Sequence, residues 1–293
     1  MKKLKGLVAA VVAAAATVVA PFTAQVAEAQ TAGVCPAVAV VAARGSGENG
    51  NWIAQNYGGG PFWSNGREGP TLRAMFNYFE SRYQADTGRS LMNSVQVLGL
   101  DEWKYPATAP KSFLAPPTDV ESALNYARQV ILPQAEMFRD SFINGTHGVN
   151  ATINEYEAAT GCHPQYVLAG YSQGAVVTEG VERQLAQQGK LAGVINIGSP
   201  YTSKNDPNRI GSGLTGDGVL AWTPMASNQI SPAPRIEYCV ADDPFCDLNP
   251  GKYINKVPVD GSAHASYFRG GSSLFQDRDL AARRFASWVD ARR

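Results

Sequence analysis

The chain has 293 residues, and 25 Lys and Arg balance 25 Asp and Glu. Nothing in that balance suggests a polyanion partner such as nucleic acid, and the length suits a single α/β core. Three histidines and four cysteines scattered along the chain do not match a zinc site, so no metal or organic cofactor is expected.

Lys2, Lys3 and Lys5 precede an apolar run over 7–20, and Ala27-Glu28-Ala29 places small residues where a signal peptidase reads. Residues 1–29 are therefore expected to be a signal peptide, leaving 30–293 as the mature domain. The run is Ala-rich and shorter than the ~20 apolar residues that cross a bilayer. No later segment is long and apolar enough to span, so a secreted or envelope protein is predicted. Cleavage removes three basic and one acidic residue, leaving 22 against 24.

Residues 37–43 are apolar without alternation, as in a strand buried on both faces. The turn Arg44-Gly45-Ser46-Gly47-Glu48 follows, then a Gly- and aromatic-rich loop over 49–69 with Trp52, Tyr57, Phe62 and Trp63. A helix is predicted over 71–83, with Leu72, Met75, Phe76 and Phe79 on one face, and a strand over 95–100. Residues 101–117 are too rich in proline for regular structure throughout. A helical pattern over 119–142, interrupted at Pro133, precedes a shorter helix over 149–159. Strands over 166–169 and 191–197 flank a helix over 175–188. A turn-rich stretch over 198–234 leads to a last strand over 235–241. A terminal helix over 280–289 turns Phe285, Trp288 and Val289 inward. The alternation predicts a mostly parallel central sheet with helices on both faces, its site built by loops at the strand ends.

Gly170-Tyr171-Ser172-Gln173-Gly174 joins a predicted strand to a predicted helix, the context of a nucleophile elbow. Ser172 needs a base, and the base an orienting carboxylate. His163 starts the strand that ends at Ser172, which places it ~20 Å or more away. His147 precedes the serine, against the order Ser, acid, His of sheet hydrolases with this elbow, so His264 remains. Asp206, Asp217, Asp242, Asp243, Asp247 and Asp260 all qualify as the acid by order. Asp242 and Asp243 follow the last strand, where catalytic side chains project, and chemistry alone does not choose between them. Four cysteines in an exported chain predict two disulfides, with three possible pairings. The closeness of Cys239 and Cys246 favours a local loop, leaving Cys35 with Cys162.

Ala43-Arg44-Gly45-Ser46-Gly47-Glu48, the elbow, Cys239-x-x-x-Asp243-x-x-Cys246 and His264-x-x-Tyr267 together resemble the successive signatures of the cutinase family of serine esterases, including actinobacterial cutinase-like proteins. The resemblance covers most of the mature chain. It implies an α/β-hydrolase three-layer sandwich, and it implies Asp243 as the acid, four residues after the first cysteine of the local loop. It also implies a Cys35–Cys162 disulfide and an oxyanion hole from Ser46 and the backbone N–H of Gln173. A donor at the start of the elbow helix would gain from the positive helix end.

The chain is longer than compact fungal cutinases over 49–69, over 111–142 and between Cys246 and His264. Trp52, Phe62, Trp63 and the 103–113 stretch with Trp103 are candidates to wall an apolar channel or lid over Ser172. Otherwise they fill core or cover a sheet edge. The resemblance implies a secreted, monomeric esterase for lipid or cell-envelope glycolipid esters, such as trehalose mycolates. A carbohydrate acetyl esterase, acetylxylan-esterase-like, is the second expectation, and a non-catalytic envelope binding protein the third.

Overall fold

The computed structural model describes residues 33–50, 52–109, 132–248, 262–269 and 275–293. The expected signal peptide, Asp260 and most of the 111–142 segment lie outside them.

Six parallel strands form the sheet: β1 (Val38–Ala43), β2 (Val95–Gly99), β3 (Gln165–Tyr171), β4 (Leu191–Ile197), β5 (Arg209–Ile210) and β6 (Arg235–Tyr238), in the spatial order β2-β1-β3-β4-β6-β5. The described helices of the sandwich are α1 (Gly69–Thr87), α2 (Leu132–Thr160), α3 (Gln173–Gln187) and α5 (Phe275–Asp290), with a short α4 (Ser262–Ala265) before the last. Alternate residues of β1 enter opposite cores, which is why the sequence shows an unbroken apolar run. Val38, Val40 and Ala42 pack with Leu72, Phe76 and Phe79 of α1 and with Phe285 of α5. Ala39, Val41 and Ala43 pack with Val149 and Ile153 of α2 and with Val177 and Val181 of α3. The result is the three-layer α/β-hydrolase sandwich.

The chain leaves β1 toward β2 on one side and returns to β3 on the other, so the strand order reverses between β1 and β3. Open α/β sheets place their ligand crevice outside the carboxyl ends of strands at such a switch point. The Arg44–Glu48 turn and Ser172 are the residues that leave β1 and β3 there.

Two expectations are corrected. The helices expected to end at 142 and to begin at 149 are joined, because α2 runs unbroken through 143–148. Gly145 is there for close packing rather than as a break: a Cβ on it would lie 2.8 Å from both Val177 methyls and 3.1 Å from the Tyr105 ring. Residues 119–131 lie outside the described ones, and with them the stretch that the expected interruption at Pro133 would set apart. Within the turn-rich 198–234 stretch, two residues pair as β5 on β6. A two-residue edge strand leaves no period to read.

The aromatic loop over 52–68 covers the outer edge of β2. Asn65 accepts from the Gly99 amide at 2.9 Å and donates to its carbonyl at 2.7 Å, and Gln96 donates to the carbonyl of Trp63 at 2.7 Å. These bonds occupy an edge that would otherwise be open to strand addition. Between α3 and the β4–β6 pair lies a buried polar cluster. Asn196 donates to Glu179 at 2.7 Å and to Glu237 at 2.8 Å, while Arg235 pairs with Glu237 and Glu182.

Candidate active site

Ser172 sits between β3 and α3 at φ 54° and ψ −118°, a strained conformation for a residue with a side chain. The turn is held by the Ser172 amide donating to the carbonyl of Ile197 at 2.8 Å. Both flanking glycines are required by close approach. A Cβ on Gly170 would lie 2.4 Å from Ala175 Cα, and one on Gly174 would lie 1.9 Å from the carbonyl oxygen of Ala43.

His264 arrives on α4. Its Nε2 lies 2.8 Å from Ser172 Oγ, and its Nδ1 lies 2.8 Å from Asp243 Oδ2. Asp243 is fully buried, and its Oδ1 accepts the Phe245 amide at 2.8 Å. Asp242 is exposed: at φ 66° it forms the corner of the loop and donates its amide to Asp247 Oδ2. Asp247 caps the amides of Thr215 and Gly216, Asp217 receives the Lys204 amide, and Asp206 turns back on Asn208. His163 pairs with Glu157 at the opposite end of β3, and His147 lies on α2.

The loop carrying Asp243 is closed by the Cys239–Cys246 disulfide, and Cys35–Cys162 ties the entrances of neighbouring β1 and β3. Both cysteines of the second bridge lie at the amino ends of parallel strands.

Ser46 lies in the turn that leaves β1, beside β3, and lines a cavity together with Tyr171. In its turn the amides of Gly45, Gly47 and Glu48 have acceptors, and that of Ser46 has none among the described residues. The Gln173 backbone N–H, in the first turn of α3, likewise has none among them. Two unengaged donors at the start of a helix and at a strand exit can receive a developing oxyanion. The supporting structure is polar and buried. Arg44, fully buried, donates to the carbonyls of Leu100 and Tyr105, the latter at 2.8 Å. Burial pushes its guanidinium below the ordinary arginine range. The Tyr105 hydroxyl lies 2.8 Å from the Arg44 carbonyl and 3.1 Å from Gln173 Oε1, so it bridges the two arms.

Several residues of the site were not singled out by sequence reasoning. Tyr171 stacks on His264 at 5.2 Å and donates its hydroxyl to the His264 carbonyl at 2.7 Å. Phe245 covers another side of the imidazole at 4.4 Å. The Tyr267 hydroxyl lies 2.6 Å from Asp243 Oδ2. Tyr171 lies inside the elbow, Phe245 between the paired cysteines and Tyr267 in the His-x-x-Tyr motif, but no spacing announces a ring-to-ring contact.

Beside Ser46 and Tyr171 opens a cavity of about 410 Å³, lined among others by Glu48, Asn49, Thr71, Arg73, Ala265 and Arg269. Trp52, Phe62, Trp63 and Trp103 are not among the residues that line it. Trp52 is held between the guanidinium groups of Arg44, at 4.8 Å, and Arg67, at 5.2 Å. Phe62 is buried, while Trp63 is half-exposed on the loop over β2, and Trp103 is 89% exposed. The edge-covering alternative accounts for the Phe62–Trp63 segment. Residues 110–113 of the expected wall lie outside the described ones.

A sequence profile of the family described as Cutinase matches residues 119–273, more than half of the chain. The chain belongs to the cutinase family. As a member of it the protein is a carboxylic ester hydrolase. A cutinase-like protein from Cryptococcus sp. is similar in structure, with a TM-score of 0.51 at 18% identity, over 88% of this chain and 98% of that one. At that identity the likeness is one of fold. The catalytic core domain of acetyl xylan esterase from Trichoderma reesei is similar at a TM-score of 0.45 and 18% identity, over 89% of this chain and 100% of the other. Trichoderma reesei cutinase in complex with a C11Y4 phosphonate inhibitor is similar at 0.41 and 20%, over 87% and 77%. No curated protein matches the chain.

Proposed function

We propose that this cutinase-family hydrolase works through an acyl-enzyme on Ser172, with His264 as base and Asp243 as its orienting acid. The observation that carries the reading is the unbroken chain Ser172 Oγ, His264, Asp243, with 2.8 Å at each of its two links. His264 Nε2 takes the serine proton as Oγ attacks the ester carbonyl, and returns it to the departing alkoxide. The buried carboxylate holds the imidazole with Nδ1–H toward itself and stabilises the imidazolium. The backbone N–H groups of Ser46 and Gln173 receive the oxyanion. A water activated by His264 then releases the acid and restores Ser172.

The substrate is an ester with a hydroxyl-bearing portion, either a glycolipid of the cell envelope or an acylated carbohydrate. The charged and polar side chains of Glu48, Asn49, Thr71, Arg73 and Arg269 in the lining of the cavity beside Ser46 support this, since they suit sugar hydroxyls. The protein is proposed to be exported by cleavage near Ala29. Among the described residues no helix is long and apolar enough to cross a membrane.

The test is hydrolysis of p-nitrophenyl esters from acetyl to palmitoyl, with Ser172→Ala alongside. The variant is expected to lose at least ~10⁴-fold in kcat. Retained activity in Ser172→Ala would remove the nucleophile. A rate peak at long acyl chains selects the glycolipid substrate, and an acetyl-only profile selects the carbohydrate.

A further inference from the structure

Tyr267 is fully buried, and three groups meet its hydroxyl. The Val240 amide donates to it at 3.1 Å, Cys246 Sγ lies at 3.2 Å and Asp243 Oδ2 at 2.6 Å. The Val240 N–H can only donate, so it occupies a lone pair of the phenol oxygen. Cys246 is bridged to Cys239 and carries no proton. The single phenolic proton therefore goes to Asp243, the shortest and most basic partner. Asp243 Oδ2 thus accepts twice, from His264 Nδ1 and from Tyr267, while Oδ1 is held by the Phe245 amide.

We propose that Tyr267 is a positioning residue that acts through Asp243, fixing the carboxylate against His264 and drawing charge from the oxygen the imidazolium faces. This rests on the acyl-enzyme reading above. The hydroxyl reaches into a loop whose backbone it also anchors at Val240, so one group sets both the strand exit and the carboxylate rotamer. Its ring is locked by edge contacts with Tyr171 of β3 at 5.8 Å and Tyr238 of β6 at 5.7 Å. These two phenols and the Asp243–His264 pair are the titratable groups packed around it among the described residues. Burial holds all three phenols above their ordinary range, with Tyr238 pushed up to about 12, so none competes as an anion near neutral pH.

The test is Tyr267→Phe, which removes one oxygen and keeps the ring. We expect kcat to fall about 10-fold with KM unchanged, as a loosened carboxylate misplaces the imidazole. The acid limb of kcat/KM should move up by about half a unit, because the unshared carboxylate favours the imidazolium more. In an Asp243→Asn background the same substitution should cost nothing further. Site-specific 3-fluorotyrosine at 267, a stronger donor of nearly the same size, should shift the limb downward and serves if the Phe variant fails to fold. The proposal is overturned by wild-type rate and limb in Tyr267→Phe, by a loss undiminished in the Asp243→Asn background, or by lowered Tm with an unmoved limb. Ser172→Ala measured beside it separates the two readings: activity surviving there removes the nucleophile itself, whatever Tyr267 does.

Discussion

Gly198 follows β4 at φ +58° and passes behind the imidazole. In Gly198→Ala, the new Cβ would lie 3.0 Å from His264 Cε1, 3.1 Å from His264 Nδ1 and 3.1 Å from Asp243 Oδ2. Contacts this short require the neighbours to give by a few tenths of an ångström. His264 has little room to do so, since both ring nitrogens are bonded at 2.8 Å and the rings of Tyr171 and Phe245 pack on it. An imidazole 1 Å out of place costs about 100-fold, so a shift of roughly a third to a half of that is expected to lower kcat/KM about 5–10-fold. The left-handed backbone adds a separate strain of ~1–2 kcal/mol, which lowers Tm by about 2–8 °C in a domain of this size. Gly88→Ala is the matched control. It caps α1 at φ +70° with open space around it, so it carries the same strain with no contact. Both variants are assayed for p-nitrophenyl butyrate hydrolysis and for Tm by circular dichroism. The reasoning predicts similar Tm losses and an activity loss confined to Gly198→Ala. Equal activity losses in the two variants, or none in Gly198→Ala, would refute it.

The two disulfides should separate stability from activity. Replacing Cys35 and Cys162 with Ala opens a loop of 127 residues' separation, worth up to about 5 kcal/mol of unfolding free energy in the chain-entropy model, with kcat unchanged. Replacing Cys239 and Cys246, separated by 7, costs up to about 2.5 kcal/mol but lowers kcat, because that loop holds Asp243. Urea titration and kinetics on the same preparations check the crossover. Burial pushes Glu237 up from 4.5 to about 7 in the folded protein, and burial raises Glu179 in the same direction. The folded state therefore holds protons that the unfolded chain has released. Stability from Glu237 is full below about 4.5 and is lost as pH rises through about 7. A Tm profile from pH 4 to 8 should show this decline, flattened in Glu237→Gln, and an unaltered slope in the variant would count against the assignment.

Much of this molecule is legible from local pattern. Residues 37–43 and 191–197 read as doubly buried strands because a parallel sheet covered on both faces leaves no polar alternation. Ser172 could be named because an elbow needs glycine on both sides, and His264 because chain order and strand length exclude the other two histidines. What misled the reading was also local. The stretch between 142 and 149 read as a gap between two helices, although α2 is continuous there and Gly145 lets it approach Val177 and Tyr105. Trp52, Phe62 and Trp63 read equally as a substrate wall or as cover for core and sheet edge, because apolar side chains in a loop carry no mark of which surface they cover.

The amino-acid sequence by itself determined the layered sheet, the elbow, the order of serine, acid and histidine, and the cysteine frame, since each depends on periodicity or spacing along the chain. The family resemblance singled out Asp243, but only the tertiary structure decided that its carboxylate meets the imidazole, that Tyr267 shares its oxygen and that charged and polar side chains join the lining of the cavity beside Ser46. Those outcomes depend on directions in space between segments far apart in the chain. At the corner formed by Asp242, one residue of chain separates an exposed carboxylate from a buried one that meets the imidazole.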